Sequence, residues 1–299
     1  MAEQFCDVGG GITLCYEAFG EESSPPLLLV MGLGTQMIGW PDEFCDQLAA
    51  RGFHVVRFDN RDSGRSTQIE GRPPSLTQLA LRRIQPVLYT LSDMAADAAG
   101  LIRELGIEPA HVVGASMGGM IAQMLAAEHP AAVRSLVSIM SNTGSRLSGN
   151  PSFPIYRFWL NRPPQDRDSY IERATQIFRV IGSRDLPQNA EEHREIAARS
   201  WDRGYDPAAS VRQLGAIYAS GNRTRRLRAI TAPTLVIHGS SDPMVNHSGG
   251  VATARAIPGA QMVTIKGMGH DLPSAAWPQL LAAIGEHALA ADGTPVAAE

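Results

Sequence analysis

Cysteine is scarce in this 299-residue chain: Cys6, Cys15 and Cys45 are an odd number, clustered early, with no Cys-x-x-Cys among them. No disulfide framework follows from three such residues, and free, buried thiols in a reducing compartment are expected. Only a hairpin closing symmetrically about Gly10-Gly11 would set Cys6 opposite Cys15. Long apolar runs are missing as well, since no stretch approaches about 18 continuous apolar residues. Met1-Ala2-Glu3-Gln4-Phe5-Cys6 has no basic region ahead of an apolar block. Neither export nor membrane anchoring is read from this, and the expected location is cytoplasmic. Positive charge is not in excess: 26 Lys and Arg stand against 30 Asp and Glu, a net charge of -4. No basic face for nucleic acid is implied, and there is no run of like charge that would act as a tail.

What is present is an ordinary soluble core, with 44% hydrophobic and 19% charged residues in 32.1 kDa. That size accommodates one large α/β domain with an insertion, or two modest domains. Residues 5–8 and 12–18 read as an antiparallel pair around Gly9-Gly10-Gly11. Leu27-Leu28-Leu29-Val30-Met31 is apolar at every position, as a strand buried on both faces must be. A helix over 41–51 with Pro41 at its first position, a strand over 54–58 and a helix from Ser92 to about Leu105 follow. Asp59-Asn60-Arg61-Asp62-Ser63-Gly64-Arg65-Ser66 reads as a loop braced by its own side chains. Residues 67–91 read as irregular, with an apolar patch over Leu76–Tyr89 at the rim of a pocket.

Strand–helix alternation stops after the apolar strand 133–139. From about 142 to 230 there are helical patterns only, at about 166–182, 189–203 and 207–219, together with most of the arginines and half of the large aromatics. An all-helical block between two strands of a parallel sheet is expected to be an insertion over the sheet edge, a lid. The core is then 1–141 with 231–299, and the lid 142–230. The sheet resumes at Pro233–His238, followed by a helix at about 248–256, a strand at Gln261–Ile265 and a helix to about 290.

The chemistry centres on Gly114-Ala115-Ser116-Met117-Gly118, between the apolar strand His111-Val112-Val113 and a helical Met120-Ile121-Ala122-Gln123-Met124 segment. A turn that abrupt exposes a hydroxyl at the head of a helix, where unpaired N–H groups can donate to an oxyanion. Ligands collect at the carboxyl ends of parallel strands, and four loops there carry useful groups: Gly32-Leu33, Ser116-Met117, Asp242 and His270. A serine needs an imidazole to take its proton, and the imidazole needs a carboxylate to fix its tautomer. Ser116 as nucleophile, His270 as base and Asp242 as orienting acid meet those needs. His238 is followed at once by Gly239 and is the weaker base candidate. The loop after 133–139, Met140-Ser141-Asn142-Thr143, offers no acid, and Asp271 is at most a secondary group.

In the order Ser, Asp, His, the motifs Gly114-Ala115-Ser116-Met117-Gly118, Ser241-Asp242-Pro243 and Gly267-Met268-Gly269-His270 resemble the α/β-hydrolase superfamily. Val30-Met31-Gly32-Leu33-Gly34, Gly39-Trp40-Pro41 and the 59–66 segment are similar to ester hydrolases of the aclacinomycin methylesterase type. The resemblance implies an α/β-hydrolase fold with a mostly parallel sheet, and an ester hydrolase that uses no cofactor and no metal. It further implies oxyanion donors at the N–H groups of Leu33 and Met117, although Met31 stands where many relatives have a histidine. Haloalkane dehalogenases and epoxide hydrolases of this fold carry an Asp nucleophile, which Ser116 argues against. Trp40, Met140, Phe178 and Met244 are the candidate substrate contacts; the resemblance implies a small-molecule ester of medium or bulky size, and the lid aromatics and methionines favour an apolar over a charged one. The same three residues could serve a lactone, a carbon–carbon bond beside a ketone or an acyl transfer. A ligand-binding, receptor-like protein on this fold is the alternative from another class.

Overall fold

The computed structural model describes residues 2–152 and 163–293. Phe153, Tyr156, Phe158 and Trp159, four of the aromatics assigned to the lid, lie outside the described residues, as does 294–299. Eight strands form one sheet in the order β1-β2-β4-β3-β5-β6-β7-β8. They are β1 (Gln4–Gly9), β2 (Ile12–Phe19), β3 (Pro26–Val30), β4 (His54–Phe58), β5 (Ala110–Ala115), β6 (Val133–Ile139), β7 (Thr234–Gly239) and β8 (Gln261–Ile265). The β1–β2 and β2–β4 pairs are antiparallel and the remaining pairs are parallel.

Burial on both faces explains why the central strands are continuously apolar. Leu28 and Val30 of β3 and Val112 of β5 face α3 (Leu91–Glu104) and α4 (Met117–Glu128). Leu27 and Leu29, with Val113, face α1 (Asp42–Ala49) and α10 (Trp277–Ala291). Leu27, Leu28, Leu29 and Val30 are all fully buried, each contributing about 1.5–3 kcal/mol relative to exposure. α9 (Ser248–Ala256) packs against β7 and β8.

The symmetric hairpin that would pair Cys6 with Cys15 does not form. An irregularity between Asp7 and Gly9 slips the register, so Cys6 stands opposite Leu14 and Cys15 opposite Phe5. A slip of one residue sends the two thiols to opposite faces, and all three cysteines are free. Burial pushes the Cys15 and Cys45 thiols up to about 12.

Three elements differ from the sequence expectation, two of them through capping boxes. α2 (Leu76–Leu81) lies in the stretch read as irregular, started by a Ser75/Gln78 capping box. α3 opens one residue early because Thr90 and Asp93 cap it reciprocally, and Pro41 precedes α1 rather than beginning it. Between β6 and β7 the described residues contain α5 (Arg167–Ile181), α6 (Ala190–Arg203), α7 (Pro207–Ser220) and the short α8 (Thr224–Leu227), and no strand. Asp166, Asn189 and Asp206 cap the first three of these. Among the described residues no helix is long and apolar enough to cross a membrane.

Gly285 lies inside α10, and a Cβ added there would meet nothing nearer than Arg51 Cδ at 3.5 Å. Gly285→Ala is therefore expected to stabilise the fold by about 0.5–1 kcal/mol, the helical cost of glycine. An unchanged or lowered urea midpoint would show that the α10 face is tighter than that distance implies.

Candidate active site

β5 ends at Ala115 and α4 begins at Met117, so Ser116 alone makes the turn, at φ 56° and ψ -117°. Such a conformation costs a non-glycine residue about 1–3 kcal/mol and persists only when its surroundings over-determine it. Here they do. A Cβ on Gly114 would stand 2.2 Å from the Gly118 carbonyl oxygen, and one on Gly118 only 2.0 Å from that of Val30. The obstructing atoms are backbone and cannot swing aside, so the two glycines are demanded by close approach of strand and helix. Ser116 occupies the N-cap position of α4, yet its hydroxyl caps no helix N–H. It lies instead 2.9 Å from His270 Nε2.

His270 Nδ1 is 2.8 Å from Asp242 Oδ2, in the loop after β7. The other oxygen, Oδ1, accepts the N–H groups of Met244 and Val245, each at 2.9 Å. Burial alone would raise the Asp242 carboxyl, but the His270 and His238 imidazoles outweigh it and lower it to about 2. A carboxylate accepts only, so its partner Nδ1 is assigned the proton and Nε2 presents its lone pair to the serine hydroxyl. His238 makes no bond to Ser116. Its Nε2 sits 2.8 Å from the Val245 carbonyl and 3.4 Å from Asp242 Oδ2, so it braces the acid.

The loop after β3 lies against the serine: a Cβ on Gly32 would be 3.1 Å from Ser116 Cβ and 3.7 Å from its Oγ. Asn60 holds the Met31 carbonyl at 3.0 Å, and Gln213 of α7 accepts the Gly34 N–H at 2.8 Å. Met117 opens α4, so its N–H has no carbonyl one turn back in the helix to bond. These groups form a hydrogen-bonded acid, imidazole and hydroxyl beside a backbone loop, an arrangement suited to acyl transfer.

The family model for the alpha/beta hydrolase fold matches residues 25–273. The chain belongs to the α/β-hydrolase family. This hydrolase is 31% identical to rhodomycin D methylesterase DnrP of Streptomyces peucetius, over 94% of its own length and 96% of that protein's. The same figures hold for rhodomycin D methylesterase DauP of Streptomyces sp. (strain C5). Its fold matches the enol-lactonase of Burkholderia xenovorans LB400 with a TM-score of 0.71 at 22% identity, covering 97% of this chain and 100% of that one. That last likeness is one of fold.

Of the expected site residues, the hydrolase brings Ser116, His270 and Asp242 into one hydrogen-bonded chain, with Leu33 and Met117 in the two segments beside Ser116. Met244 lies next to them through its N–H bond to Asp242. Trp40 is fully buried and stacked on Phe44 at 5.6 Å, with its carbonyl bound by Arg57. Met140, at φ 44°, is buried in the same core at the end of β6. Phe178 stacks on His193 at 4.4 Å, between α5 and α6. A surface recess of about 570 Å³ is lined by Thr77, Gln78, Leu81, Arg83, Ile84 and Gln85, within the apolar patch, and holds none of the site residues.

Several residues tying the inserted helices to the site were not found by sequence reasoning. The 59–66 loop braces itself as expected, with Asp59 accepting Arg65 N–H at 3.1 Å, but both its aspartates also bind arginines of the insertion. Arg203 reaches Asp59 at 2.8 Å, and Arg212 reaches Asp62 at 2.7 and 2.9 Å. Ile181 accepts the His270 N–H at 2.7 Å. Ser183 accepts the Gly269 N–H at 2.9 Å and donates to Asp271 at 2.6 Å. These partners are over 80 residues apart, and the only signal was a charged loop with two aspartates at a strand end beside an arginine-rich insertion.

The lowered Asp242 carboxyl carries a prediction about acid stability. A depressed carboxylate stabilises the fold above its unfolded value of about 3.9, and the effect disappears as pH falls to its folded value of about 2. The stability gap between the wild type and Asp242→Asn, roughly 2 kcal/mol from this source, should therefore narrow between about pH 4 and pH 2. Urea midpoints across that range check it; a gap independent of pH would mean the charge is not what holds the loop.

Proposed function

We propose that the protein hydrolyses carboxylic esters through an acyl-enzyme. The observation that carries this reading is the unbroken hydrogen-bonded chain from Ser116 Oγ through His270 to a buried Asp242. Ser116 Oγ attacks the ester carbonyl as His270 Nε2 takes its proton. Asp242, already ionised, supports the imidazolium so formed without itself accepting the proton. Negative charge gathers on the carbonyl oxygen, and the N–H groups of Leu33 and Met117 stabilise it there. His270 then protonates the departing alkoxide, and water, deprotonated by the same nitrogen, releases the acid and restores Ser116.

The substrate proposed is a small-molecule ester, supported by the similarity to the rhodomycin D methylesterases, and an apolar one, on the aromatics of the inserted helices and the methionines near the site. No cofactor is needed, because every proton in the cycle moves between Ser116, His270, the substrate and water. The helical insertion at 142–230 is proposed as the lid over this site. Its bonds to the Asp59, Asp62 and His270 loops support a lid that is part of the site's framework.

Turnover of an activated ester should fall roughly 10⁶-fold in Ser116→Ala and His270→Ala, and roughly 10⁴-fold in Asp242→Asn. A serine-reactive phosphonate should label wild type at Ser116. Retained turnover in Ser116→Ala would sink the nucleophile assignment, and wild type that binds esters without turning any over would favour a binding protein.

The oxyanion assignment is tested through the backbone. Leu33→Ala keeps the N–H and should alter rate modestly, whereas Leu33→Pro removes it and should lower turnover by roughly 10²–10³ with ground-state binding largely kept. Equal losses in both variants would move the donor to Gly32 or Gly34.

A further inference from the structure

Gln213 is fully buried in α7, and both ends of its amide are engaged. Oε1 accepts the Gly34 N–H at 2.8 Å, and Nε2 donates to the Arg61 carbonyl at 2.9 Å. One side chain of the insertion thus joins the loop after β3 to the loop after β4. It has no freedom to turn away. Its neighbour Arg212 is locked onto Asp62 and Asp206, and Ser210 Cβ would be 3.1 Å from a Cβ on Gly34, so α7 lies directly on the loop. A buried amide that loses a partner stays desolvated and unpaired, which favours keeping both bonds.

The Gly32–Leu33 peptide, which carries the Leu33 N–H, lies between two such holds. On its near side Asn60 fixes the Met31 carbonyl, and on its far side Gln213 fixes the Gly34 N–H. A donor stabilises a developing charge only if it already points where the charge will appear, since reorienting it during reaction would cost what it supplies. We propose that Gln213 is a positioning residue for the oxyanion site: by holding the Gly34 N–H it aims the Leu33 N–H, so that the insertion tunes the chemical step as well as covering it. This rests on the reading of Leu33 as an oxyanion donor. Gln213 touches no reacting atom.

Gln213→Met keeps length and volume and removes the amide's hydrogen bonds, whereas Gln213→Glu, kept neutral by burial beside the Arg61 and Asp62 carbonyls, retains an acceptor for the Gly34 N–H and an O–H to donate to Arg61. With an activated ester, Gln213→Met should lose roughly 10- to 100-fold in kcat with KM within about twofold, below the roughly 10²–10³ of deleting a donor outright. A boronic acid mimicking the tetrahedral adduct should bind more weakly by the same factor, while a non-covalent amide isostere binds as before. Gln213→Glu should remain within about threefold of wild type. Should Gln213→Met fail to fold, Gln213→Asn, too short to reach Gly34, is read in its place. Wild-type kcat in the variant lacking the bond overturns the proposal, and so does a parallel fall of kcat, amide binding and thermal midpoint in both variants, the mark of a purely structural role. Ser116→Ala, run alongside, separates the two failures: turnover surviving there defeats the functional reading itself, whereas an inactive Ser116→Ala beside a normal Gln213→Met defeats only this inference.

Discussion

The whole arrangement depends on how closely α4 comes to β3 and β5. With the Val30 carbonyl oxygen 2.0 Å from where a Gly118 Cβ would be, no side chain can intervene between helix and sheet at that point. The chain must reverse within one residue, and Ser116 takes the strained conformation that results. Everything chemical follows from that turn. The hydroxyl is left free of capping duty and within 2.9 Å of His270, and the Met117 N–H starts the helix unpaired. Strain at Ser116 is stabilised by the apolar packing of Met117, Met120, Ile121 and Met124, all nearly or wholly buried against the sheet.

Charge organises the second layer. Two loops at the strand ends, after β4 and after β8, are tied to the inserted segment by ionic or charge-assisted hydrogen bonds. Asp59 and Asp62 take Arg203 and Arg212, and Asp271 takes Ser183. Both loop aspartates are essentially unexposed, so breaking either pair would leave a buried charge uncompensated, a far larger effect than losing a surface ion pair. The inserted helices are fastened to these loops at buried charges.

Asp242 shows how one carboxylate is held for a single task. Two backbone N–H groups fill one oxygen, while His270 and His238 address the other, so the group stays ionised despite burial. Of the two imidazoles only His270 reaches the serine, because His238 is spent on the Val245 carbonyl and the acid.

The sequence by itself determined the sheet, the helical insertion and the three residues of the hydrogen-bonded chain. Apolar runs at strand length, and glycines flanking a serine between strand and helix, are local signals that need no distant partner. The start of α3 and the hidden α2 were missed because capping boxes act through paired local hydrogen bonds that periodicity does not register. The surroundings of Trp40 were not legible for a different reason. An aromatic beside a loop looks the same in sequence whether its ring faces a cavity or, as here, Phe44. Only the tertiary structure decided what braces the site. Gln213 meets Gly34 across 179 positions and Arg203 meets Asp59 across 144, pairings set by how α6 and α7 settle on the strand ends, and no local pattern encodes such a meeting.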